Sequence, residues 1–324
     1  MDSAIPQNQT NQERTSLSDR RRSDAPSPQA VDAMEAMLPP VIVSDSLFAS
    51  PAYQPLEIYD NGNSPSPVVA SCPHAGRSYP ASLLDSSCSE IDALRGLEDF
   101  GVDCLIAGLS GTGITCVVNR VARGYLDVNR AATALDKSMF DGRIAAPSAC
   151  HHVRAGYGLL PKLTASRKPI YDRLLDAAEA DHRITTVHTP YHNALARLMD
   201  KAEAWHGKAL LVDFHSMPAY DRLNNRLPDI ICGDGYGVTL DRTTADAMTG
   251  FFQKAGLSVS WNHPYAGGFI TRSTGDAKST RQAVQIEINR DLYMDGALRL
   301  DPARAASLAA TMTDFGSFLI SHTR

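Results

Sequence analysis

Ala209-Leu210-Leu211-Val212-Asp213-Phe214-His215 is five apolar residues of seven, interrupted only by one acid and closed by one histidine. A run this short, apolar and bounded reads as a strand covered on both faces. Others resemble it: Val68 to Ser71, Ile114 to Val118, Ile230-Ile231, Leu257 to Trp261 and Ala283 to Ile288. Between them lie helical patterns at 90–108, 190–206, 241–255 and 302–321, with Pro190 in a first turn and Gly207 just past an end. Buried strands separated by helices predict an α/β fold, a single three-layer α/β/α domain with a mixed, mostly parallel sheet. In such sheets ligands gather at the carboxyl ends of the strands. His215 closes one predicted strand, His74 follows another, and Glu287 lies near the end of a third. Two imidazoles and a carboxylate are the donors of a hydrolytic zinc site that keeps a fourth position open.

The rest of the chain sets limits on function. Its 324 residues carry a formal net charge of -5, with 43% hydrophobic and 21% charged residues, an ordinary globular balance with no basic field for nucleic acid. Six cysteines, none in a C-x-x-C pair, argue for free thiols in a reducing compartment. No apolar run reaches the roughly 20 residues of a membrane span. Arg20-Arg21-Arg22 is followed by Ser23-Asp24-Ala25-Pro26, with no apolar signal core, so the expected location is cytoplasmic. Residues 1–45 are polar and Pro-rich and read as a flexible tail, leaving 46–324 as the catalytic domain.

Several motifs stand in a fixed order. Ser71-Cys72-Pro73-His74-Ala75-Gly76 comes first, then Glu98-Asp99-Phe100-Gly101-Val102-Asp103 and Arg123-Gly124-Tyr125-Leu126-Asp127-Val128-Asn129-Arg130. Pro190-Tyr191-His192, Asp213-Phe214-His215-Ser216-Met217, Asn262-His263-Pro264-Tyr265-Ala266-Gly267-Gly268 and Gln285-Ile286-Glu287-Ile288-Asn289-Arg290 complete the series. In content and order these resemble the N-formylglutamate amidohydrolase family, over roughly residues 66–295. That resemblance implies a carboxypeptidase/phosphorylase-hydrolase-like fold, Zn2+ or another divalent metal as cofactor, and a small N-acyl amino acid as the partner. It implies His74 and His215 as metal ligands and Glu287 as general base and acid. Arg123 would hold the oxyanion, and Asn129 and Arg130 a substrate carboxylate. Arg290 is the candidate for a second carboxylate, and Tyr265 and Gly268 sit in a loop expected to approach the ligand. Related enzymes take their carboxylate ligand three residues after the first histidine, but here Arg77 stands there. The acidic stretch supplies the alternative, with Asp99 chosen as ligand over Glu98, and Asp103 on the same face of a predicted helix.

Other histidines receive no role. Pro190 argues against one helix running through both His188 and His192, and His151-His152 lies in a polar connection, 131–169, read as a lid or insertion. Ser216 lacks the G-x-S-x-G setting of a serine nucleophile. The expected function is therefore hydrolysis of N-formyl-L-glutamate to L-glutamate and formate. The alternatives are the same chemistry on another N-acyl amino acid or small amide, and a metal-free binding protein on this fold. Oligomeric state is not encoded in any of these features.

Overall fold

A computed structural model describes residues 29, 40–44, 54–60, 66–145, 149–296 and 299–323. Its strands are β1 (Ile42–Ser44), β2 (Leu56–Tyr59), β3 (Val68–Cys72), β4 (Ser78–Pro80), β5 (Thr115–Asn119), β6 (Ala209–Met217), β7 (Ile230–Gly233), β8 (Val259–Trp261) and β9 (Arg281–Asn289). Seven of them form one sheet in the order β2-β5-β3-β6-β9-β7-β8. The β5, β3, β6 and β9 strands are mutually parallel, β2 runs against β5, β7 runs against β9, and β8 is parallel to β7. The mixed, mostly parallel sheet agrees with the α/β fold expected from the sequence.

The strand β6 sits at the centre, and all nine of its residues are buried. Its side chains alternate between two cores. Leu210, Val212 and Phe214 join the helices Val102–Ile106, Leu109–Thr112, Arg242–Lys254 and Pro302–Thr323 on one side. There the rings of Phe252 and Phe315 pack at a tilt with centroids 4.5 Å apart, an arrangement worth about 0.5–1.5 kcal/mol beyond its area. Ala209 and Leu211 face the other core, with Tyr191, Leu195 and Met199 of the helix Thr189–His206 and Ile270 of the helix Phe269–Thr274. Asp213 and His215 share the parity of Leu211, so they project on this second side. Val284, Ile286 and Ile288 of β9 belong to the first core, which leaves Gln285 and Glu287 on the second. Parity alone thus collects Asp213, His215, Gln285 and Glu287 on one face.

Three expectations need correction. The helix predicted over 90–108 is two short helices, Ile91–Arg95 and Val102–Ile106, because Gly101 adopts φ +76° between them. That left-handed turn costs glycine little, and it places Glu98 and Asp99 in a loop. Pro190 does not interrupt the chain's helix: Ala177–Arg183 runs through a π-helical turn, Ile184–His188, into Thr189–His206. A widened turn accommodates a residue that lacks an N–H. Last, β1 lies within the expected flexible tail, yet it pairs in parallel with β4 and Ile42 N–H donates to Arg77 O. Most of the remaining tail lies outside the described residues.

Candidate metal centre

The β3 strand ends at Cys72, and His74 follows at the carboxyl edge of the sheet. On β6, His215 stands directly beside Glu287 of β9 in the parallel register, at the ~4.8 Å spacing of neighbouring strands. Asp99 is brought to the same place by its loop, where its N–H donates to His74 O at 2.9 Å. His74, Asp99 and His215 are each 3% exposed or less. Their facing atoms lie close together: His74 Nδ1 to His215 Nδ1 is 3.1 Å, His74 Nδ1 to Asp99 Oδ2 3.3 Å, and His215 Nδ1 to Asp99 Oδ2 3.0 Å.

The far side of each ring explains what the near side is for. His74 Nε2 donates to Asp127 Oδ1 at 2.7 Å, and His215 Nε2 donates to Asp213 Oδ2 at 2.9 Å. A carboxylate only accepts, so each Nε2 carries the proton and each Nδ1 presents a lone pair. Two lone pairs and a carboxylate oxygen converging in a buried space repel unless something positive sits among them. A tetrahedral ion with bonds of roughly 2.0–2.1 Å spaces its ligand atoms about 3.3–3.4 Å apart, close to the separations here. The donor set therefore fits a divalent metal, and these are the residues that would hold one.

Asp127 and Asp213, not singled out from the sequence, are themselves fixed. Asp127 accepts from the N–H of Asn129 at 2.9 Å and from Arg123 Nε at 3.0 Å. Burial works against its charge, but the Arg123 and Arg130 guanidiniums and His74 hold its carboxyl well below the usual range. Asp213 Oδ1 accepts from Ser71 Oγ, which also meets the Tyr191 hydroxyl. Asp99 uses its second oxygen elsewhere: Ser216 Oγ and Arg290 Nη2 donate to Oδ1, both at 3.3 Å.

The remaining expected residues divide. Glu287 is 6% exposed, and burial above all pushes its carboxyl up to about 7. Arg123 is pinned to Asp127 by Nε and Nη2, the latter at 2.9 Å. Arg290 is held by Ser216 Oγ and the Glu98 carbonyl. Arg130 is further committed, with Nε on Tyr157 O and Nη1 on Asn129 O. Tyr265 is half-buried, and burial together with Glu287 and Asp99 raises its hydroxyl to about 12. Asn129, expected to grip a substrate carboxylate, is engaged within the protein. Its Oδ1 accepts from Ile270 N–H at 2.8 Å, and its Nδ2 lies 3.2 Å from His215 Nε2 and 3.5 Å from Asp213 Oδ2. Gly268 approaches this amide rather than open space, since a Cβ there would lie 2.4 Å from Asn129 Nδ2. Among the alternatives for the third ligand, Glu98 turns to Tyr79 and Arg95, and Asp103 to Arg77 and Arg120. Neither joins the histidines.

A buried His-Asp-His cluster at the carboxyl edge of a mostly parallel sheet, with a carboxylate in register beside it, defines an α/β/α hydrolase with a candidate metal centre. The comparisons narrow the class. A profile described as N-formylglutamate amidohydrolase matches residues 66–294, and the chain belongs to that family. It is 28% identical over 234 residues to the N-formylglutamate deformylase of Pseudomonas putida, a match covering 71% of this chain and 82% of that protein. The crystal structure of N-formylglutamate amidohydrolase from Ralstonia eutropha JMP134 superposes with a TM-score of 0.79 at 30% identity, covering 83% of this chain and 98% of that one. A protein from Agrobacterium tumefaciens, 21% identical with a TM-score of 0.61 over 84% of this chain and 97% of that one, shares the fold.

Proposed function

We propose that this chain is a metal-dependent amidohydrolase that removes the formyl group of N-formyl-L-glutamate, releasing L-glutamate and formate. The observation that carries the reading is the convergence of His74, Asp99 and His215 beside Glu287. Membership of the family and the relatives named N-formylglutamate deformylase support the substrate. A divalent ion on these three residues, Zn2+ by their two-nitrogen, one-oxygen donor set, would polarise the formyl carbonyl and lower the pKa of water toward about 7.

Glu287 takes the proton of the attacking water and returns it to the leaving nitrogen. A carboxyl whose pKa is raised to about 7 suits both steps at neutral pH. Arg123, with two nitrogens already fixed by Asp127, directs its remaining amine at the oxyanion, where charge develops only in the transition state. Arg290 and Arg130 are the guanidiniums assigned to the substrate's two carboxylates, and Tyr265 supplies a protonated hydroxyl donor. Residues 46–324 act as one catalytic domain. All six cysteines are free thiols, which supports a cytoplasmic, reducing setting. Among the described residues no helix is long and apolar enough to cross a membrane.

The test is a steady-state comparison of N-formyl-L-glutamate, N-acetyl-L-glutamate and N-formyl-L-leucine. The formyl glutamate should have the highest kcat/KM by at least about tenfold, one missing interaction of roughly 1.4 kcal/mol. Preference for either other compound would overturn the assignment of the acyl group or of the acidic side chain.

A further inference from the structure

Gln285 lies two residues before Glu287 on β9, so both side chains leave the same face of the sheet. It is 5% exposed, and its amide has one orientation. The N–H of Gly268 donates to Gln285 Oε1 at 2.7 Å, and only the carbonyl oxygen of an amide can accept it. The Nε2 amine is thereby turned onto Glu287, where it donates to Oε1 at 2.7 Å. Among the described residues no donor reaches Glu287 Oε2. The same loop and the helix that follows it serve the metal side: Gly268 packs against Asn129, and Ile270 N–H bonds its Oδ1, which leaves Asn129 Nδ2 3.5 Å from Asp213 Oδ2.

We infer that Gln285 is a positioning residue for Glu287: it occupies one carboxylate oxygen and leaves the other to handle the proton. The inference rests on Glu287 acting as base in the proposed hydrolysis. It also assigns the Asn262–Gly268 loop a task, since the Gly268 N–H is what fixes the amide. A residue that merely tied down this loop would need the acceptor on Gln285 and not the donor.

One variant and its double mutant separate these roles. Gln285→Met removes the donor to Glu287 together with the acceptor for Gly268. It should lower kcat about 10–100-fold, as loss of an orienting partner does, with KM and metal stoichiometry unchanged. In a Glu287→Gln background, adding Gln285→Met should change kcat no further. Full activity in Gln285→Met, or the same fold-loss in both backgrounds, would overturn the inference. A crystal structure of Gln285→Met decides it without any substrate: the Glu287 carboxylate should rotate away from its wild-type position, and an unmoved carboxylate is the contrary result. Wild-type protein that releases no formate would count against the substrate reading and leave this structural comparison intact.

Discussion

A histidine serves as a ligand through one ring nitrogen only when something holds the other, and here Asp127 and Asp213 do the holding. Asp213→Asn and Asp127→Asn should each weaken zinc binding about 10–100-fold in a competitive chelator titration, with an unchanged far-ultraviolet spectrum; wild-type affinity in both would remove them from the site. Glu287→Gln should retain zinc and KM while kcat falls about 10²–10⁴-fold, the usual worth of a positioned acid and base. Unchanged turnover would exclude Glu287 as the base. Asp213 was legible in principle, because it precedes His215 by two in a strand and must share its face. Asp127 was not, since its meeting with His74 depends on a loop path that local periodicity does not encode. The contacts of Asn129 with Ile270 and Asp213 depend on the same loop path.

At the level of elements, the continuously apolar strands announced themselves because the sheet is covered on both sides, whereas the breaks did not. The loop that delivers Asp99 depends on the left-handed Gly101, a signal that was present in the sequence but outweighed by the apolar periodicity around it. The π-turn before Pro190 was hidden because a proline in a first turn reads as a helix start. It sets His188 and His192 with ring centroids 4.2 Å apart, and their Nε2 atoms donate to the carbonyls of Arg130 and Val128. Burial lowers both, His192 to about 4. A histidine whose folded pKa lies below its unfolded ~6.5 resists protonation only while folded. Its contribution to stability is therefore present above about pH 6.5 and is lost as the pH falls toward 4. Replacing both by glutamine should make the melting temperature less sensitive to acid, so that the variant gains on wild type by several degrees between pH 7 and pH 5. Parallel pH dependence would contradict the burial of two neutral imidazoles.

For the whole molecule, the two cores and the edge strands bear on how much of the chain is needed. Because β1 pairs with β4, which leads directly from the His74 segment, removing residues 1–45 should lower the melting temperature further than removing residues 1–39. Equal effects would show that β1 contributes nothing. The overall architecture was readable from the sequence because layer packing follows from hydrophobic pattern, while the mutual placement of the side chains that carry the chemistry was readable only in part. The assembled cluster, two Nδ1 atoms and one carboxylate oxygen, is the feature on which the functional reading stands. The measurement that bears on it most directly is metal content of the purified protein together with formate release from N-formyl-L-glutamate, before and after chelation and after zinc is restored. About one zinc per chain is expected for a single site of three protein ligands, with release that chelation abolishes and zinc restores. Formate release that persists in metal-free protein would contradict the proposed metal centre.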